Sequence, residues 1–200
     1  MSLDDIVSKA IPKIVKGFVG EHLPAKISNI LVTHAQVASV SAIVGGAFPF
    51  VGSFATPAII VTAVWHMFIE IGDLLGVKFS ENMIKSIATG IVSNLASYMI
   101  LSFGLNAVFS MIPFLSSISG AAITFVSVIA SGLIYLNILD QLFVSHNNFE
   151  EKSEEELKKM AEETIKNSDI DSMTKDLKEV YKQNKDSIKE KAEEQKKSKS

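Results

Sequence analysis

The chain has 200 residues, 48% of them hydrophobic and 20% charged, with a formal net charge of −3. All 19 basic residues are lysine, which excludes bidentate arginine recognition of phosphates and bases; the acidic balance leaves no footprint for nucleic acid. Cysteine is absent, and with it disulfides, thiol catalysis and zinc–thiolate centres.

Residues 1–24 read as an amphipathic segment. Ile6, Ala10, Ile11, Ile14, Phe18 and Val19 recur at helical spacing, and Lys9, Lys13 and Lys16 fall towards the other side. A helix of this kind lies on an anionic membrane surface or packs on its own protein. Pro12 disfavours a helix interior, which places the helix start near Ile11. No long apolar run of a signal peptide is read here.

Residues 25–145 form the apolar domain. No Lys, Arg, Asp or Glu occurs from Ile27 to Ile69, or again from Ser86 to Leu139. A soluble helix needs a wet face, and each stretch is long enough for two spans of about 20 residues. Each is broken near its middle by an apolar turn signal: Gly45, Gly46, Pro49, Gly52 and Pro57 in the first, Pro113 and Gly120 in the second. The expectation is an all-α fold with four membrane or core helices at about 25–46, 55–75, 81–110 and 117–143, paired as two hairpins. The lysines flank the termini and the joint between the hairpins, and neither tip carries one. The positive-inside rule then places both termini and the joint in the cytoplasm, in a multi-pass inner-membrane protein. Many Ser, Thr, Asn and Gly residues in these helices suit close packing in lipid, and equally a soluble helical core or a hairpin that only dips into the bilayer.

The tips resemble each other. Phe48–Ile59 aligns with Ile112–Ile123 at a constant offset of 64 residues, matching Pro49 with Pro113, Phe50 with Phe114 and Ser53 with Ser117. A duplicated hairpin would pack about a pseudo-two-fold axis along the membrane normal.

A proline-centred apolar turn leads into Ile71–Ile91 (IGDLLGVKFSENMIKSIATGI), and a second turn opens Met111–Leu136. Over roughly residues 35–143 this order resembles a bacterial domain of unknown function often found behind Ras-like GTPase domains. The resemblance implies a helical, membrane-associated module with a GTPase-linked partner. This chain has no GxxxxGK[ST] loop to hold a nucleotide, so hydrolysis does not carry over.

His66, Glu70 and Asp73 share one helix face, in a pattern that can bind a divalent metal or relay protons. Near a helix end the same residues mark a charged membrane boundary, with Trp65 and Met67 in an interfacial belt or in packing. His34, near Gln36 in the first apolar helix, reads as a hydrogen-bonded interhelical histidine or as a buried functional group. No Ser/His/Asp set stands out, and no carboxylate pair lies deep in apolar sequence. The expectation is a non-enzyme without cofactor or metal.

Residues 146–200 hold 13 Lys and 15 Asp or Glu. Ser153 with Glu156 forms a capping-box pattern for a helix at 154–167. A second helix at 169–194 carries the seam Ile170, Met173, Leu177, Val180, Asn184 and Ile188. That seam pairs with a partner helix, folds back on the domain, or stays solvated ahead of a disordered end. Three functions follow. One is a non-catalytic module in the lipid bilayer that anchors or scaffolds a cytoplasmic protein through residues 150–195, as monomer or oligomer. The others are a pore-like or membrane-perturbing protein and a soluble domain for a lipid or hydrophobic ligand.

Overall fold

Local start and stop signals set the helix ends. The computed structural model describes residues 2–10, 22–45, 52–77, 79–102, 113–144 and 152–198. These form seven α-helices and no strand: α1 (Leu3–Ala10), α2 (Leu23–Gly45), α3 (Gly52–Leu75), α4 (Glu81–Ser102), α5 (Pro113–Val144), α6 (Glu154–Lys166) and α7 (Ile170–Lys197).

α1 starts earlier than the sequence suggests. The Ser2 amide donates to Asp5 at 2.9 Å and the Asp5 amide to the Ser2 hydroxyl at 3.2 Å, a reciprocal cap that opens the helix at Leu3 rather than near Ile11. Val7 is fully buried and Leu3 and Ile6 pack on the core, so this helix lies on its own protein. Ile11, Ile14, Phe18 and Val19 lie outside the described residues.

α3 and α5 begin further into the apolar turns than expected, while α2 ends close to where the sequence places it. Gly45 ends α2, Gly52 begins α3, Pro57 lies inside α3, Pro113 begins α5 and Gly120 lies inside α5. Pro113 is tolerated at the first position of α5 because its missing N–H has no intrahelical acceptor there. Gly46 and Pro49 lie outside the described residues, as does 103–110 of the expected third helix.

α3 ends in a Schellman turn. Gly76 takes φ +70°, its amide donates to the Asp73 carbonyl at 3.2 Å, and the Val77 amide donates to the Gly72 carbonyl at 2.8 Å. Glycine accepts this left-handed conformation without a Cβ penalty. Ser80 then caps α4 through the Met83 amide.

α5 is the axis of the fold. It packs against α1, α2, α3, α4, α6 and α7. From Gly120 to Leu142 only Gln141 is exposed. A helix that is apolar all round must be enclosed by protein or by lipid, and here other helices enclose it. α3 packs beside it: Phe68 stacks on Tyr135 at 4.0 Å between ring centroids, and Phe79 meets the same ring edge-on at 6.5 Å. Gly132 allows close approach, since a Cβ there would collide with Leu31 of α2 and stand 3.2 Å from Met67 of α3.

The two charged helices pack on this bundle. α6 lies on α4 and α5, burying Leu157, Ala161 and Ile165. Gly90 of α4 makes the contact tight, because a Cβ there would meet the Ala161 side chain and the Lys158 backbone at 3.3 Å. α7 lies on α2 and α5, burying Ile170, Leu177, Val180 and Ile188. Each fully buried aliphatic side chain contributes about 1.5–3 kcal/mol. Of the readings open for the seam, the fold-back is the one observed, and α7 continues past 194 to Lys197.

Candidate functional site

The polar face expected on α3 is split. His66, Glu70 and Asp73 are all exposed on one stripe. The His66 ring lies against Trp65, 5.0 Å between centroids. Glu70 instead reaches across to α2, where its Oε2 lies 2.8 Å from Nε2 of His34. Asp73 belongs to the helix end, its carbonyl accepting from Gly76. Among the described residues no group of three or more His, Cys, Asp or Glu is placed to hold a metal. Met67 is fully buried and Trp65 half-buried, so both serve in packing.

A second polar contact, legible only in three dimensions, joins α2 to α7. The Gln36 amide nitrogen donates to Oδ1 of Asn184 at 2.9 Å, and Lys191 donates to Oε1 of Gln36 at 2.8 Å. Asn184 is the one polar position in the α7 seam read from the sequence, and Gln36 is what it meets. A surface groove of about 570 Å³ runs between α4 and α6, lined by Thr89, Ser93 and Asn94 opposite Lys158, Lys159 and Glu162. Its charges are mixed, as expected of a solvated seam between two helices.

Among the described residues three helices are long and apolar enough to cross a membrane: Leu23–Gly45, Ala58–Leu75 and Gly120–Leu142. No family model, curated protein or solved structure matches this chain. The last of the three spans is the most apolar, and most of it is buried inside the protein. The others turn polar stripes outward, Lys26, Asn29 and Thr33 on α2 and Thr62, His66, Glu70 and Asp73 on α3. α4 does the same with Lys85, Thr89 and Ser93. Val37, 62% exposed, is the most open large apolar side chain among the described residues, and Val32, Ile59, Ile69 and Leu74 are half-buried beside these stripes.

The position of α7 bears directly on lipid contact. Tyr181 meets Phe125 of the third span at 5.5 Å between rings, and Asn184 and Lys191 bond Gln36 in the middle of the first. Lys182, Lys185 and Lys189 face outward along the same stretch. A lysine at the centre of a bilayer costs about 2.5–3.5 kcal/mol on insertion scales. Three of them together offset most of the net stability of an ordinary domain, about 5–15 kcal/mol. The docked α7 and a bilayer closed around α2 and α5 exclude each other.

Proposed function

We propose that this chain is a non-catalytic membrane-associated module. The reading is carried by the three helices long and apolar enough to span, the most apolar being Gly120–Leu142. In this reading the apolar helices enter the inner membrane in several passes, both termini face the cytoplasm, and the tail at 150–195 engages a cytoplasmic protein. The lysine-free tips and lysine-bearing termini and joint support that orientation. A GTPase-controlled assembly as the partner rests on the resemblance of Ile71–Ile91 and Met111–Leu136 alone.

Fractionation tests the reading. The membrane-bound pool resists carbonate and high salt, and single cysteines introduced into this cysteine-free chain label from the cytoplasmic side at both termini. Complete recovery in the soluble fraction overturns it. A water-soluble bundle is the second reading, and one observation favours it: the exposed stripes of α2, α3 and α4 are polar in the docked form.

A further inference from the structure

The docked form buries its most apolar span beneath a charged helix. Polar stripes and the lysines of α7 lie on the described surface beside half-buried apolar side chains of α2 and α3, while the most apolar span is enclosed. We infer that α7 is a displaceable cover, and that the face of α2 and α5 beneath it meets acyl chains in the membrane-bound form. This rests on the membrane reading above and adds to it a water-soluble closed state and an open bound one.

α7 is built to leave as a unit. Its seam is mixed: Leu177, Val180 and Ile188 are interrupted by Asn184, which is tied to Gln36 by side-chain hydrogen bonding. Water replaces such bonds with little net change, because folding merely exchanged one set of partners for another. The helix also carries its own stabilising signals. Asp169 accepts from the Ser172 amide at 3.0 Å, and Lys182 pairs with Glu179 at 2.7 Å. At 28 residues it is well beyond the length at which isolated helices are marginal. It can therefore undock and remain a helix.

α6 supplies the fixed end. Its contact at Gly90 involves backbone as well as side chain, so it is held more closely to α4. The break between the two helices falls at Asn167–Asp169, where α6 closes and Asp169 opens α7. Swinging about that point uncovers Phe125, which lies under Tyr181. The uncovered face belongs to a stretch with no Asp, Glu, Lys or Arg from Ser86 to Leu139. Apolar surface released from α7 is then satisfied by lipid, since burial has no directional requirement.

The test locks the cover. The full chain has no cysteine, so Gln36→Cys and Asn184→Cys introduce a unique thiol pair that a short, reducible bis-thiosulfonate linker can bridge. Flotation is measured with vesicles of phosphatidylethanolamine and phosphatidylglycerol, and circular dichroism checks that every form is folded. The unlinked double variant floats with the vesicles. The linked form loses binding by at least about tenfold, because apparent affinity scales with the open fraction, and reduction restores it. Leu177→Asp with Ile188→Asp, which weakens the seam and leaves every residue of α2 and α5 unchanged, raises the bound fraction. Equal flotation of linked and unlinked chains overturns the cover and leaves the membrane reading standing. No flotation of any form overturns the membrane reading, and the cover with it.

Discussion

Gly132 offers a sharp test of the packing around α5. A Cβ added there collides with Leu31, which is fully buried, and lies 3.2 Å from Met67 Cε, also fully buried. Two effects oppose in Gly132→Ala. Replacing a mid-helix glycine gains about 1 kcal/mol of helix propensity. Overpacking a closed core costs about 1–3 kcal/mol. The expected net loss is about 0–2 kcal/mol, and Leu31 cannot relieve it by swinging into solvent. Leu31→Ala alone leaves a cavity and costs about 2–5 kcal/mol. The double variant places the new methyl in the vacated space, so the two changes couple favourably by about 1–3 kcal/mol. Denaturant unfolding of the four chains measures the cycle. Additivity within about 0.5 kcal/mol, together with a full propensity gain for Gly132→Ala alone, would refute the α2–α5 crossing described above.

Other perturbations address the charged helices and the surface pair. Ser153→Ala removes the cap of α6 and lowers its stability by about 1 kcal/mol, read as amide protection in that helix. Glu156 is held below its ordinary value of 4.5, first by the Ser153 amide and then by the Ser153 hydroxyl. Its stabilising contribution is therefore complete above 4.5 and lost as pH falls through the lowered value, so α6 protection factors fall in acid; pH-independent protection contradicts the capping box. Gly90→Leu leaves no room for Ala161 and Lys158, and α6 undocks, seen as faster tryptic cleavage at its lysines. His34→Ala changes stability by less than about 1 kcal/mol, because its partner Glu70 is solvated, and a larger loss shows that the pair is structural.

Helix identity was largely legible in the chain. The Ser153–Glu156 spacing predicts a helix at 154–167, and one is observed at Glu154–Lys166 with both halves of the box formed. The seam on α7 was legible too, since spacings of three and four align its apolar residues whatever covers them. The partners were not. Glu70 lies four residues from His66, yet its contact is His34 on another helix. Gln36 and Asn184 are 148 positions apart, and no local pattern links them. Spacing along one helix decides which residues share a face, and carries no information about what that face meets.

The sequence by itself determined an all-helical chain, the lengths of its apolar segments, the placement of its lysines and the exclusion of thiol and arginine chemistry. It could not decide how that apolar surface is covered. Burial rewards any removal from water, so a helix such as α5, apolar on every side, is satisfied by lipid or by protein alike. The tertiary structure decided the matter for this form. It packs six helices against α5 and lays the charged α7 along α2 and α5, so that protein covers that face.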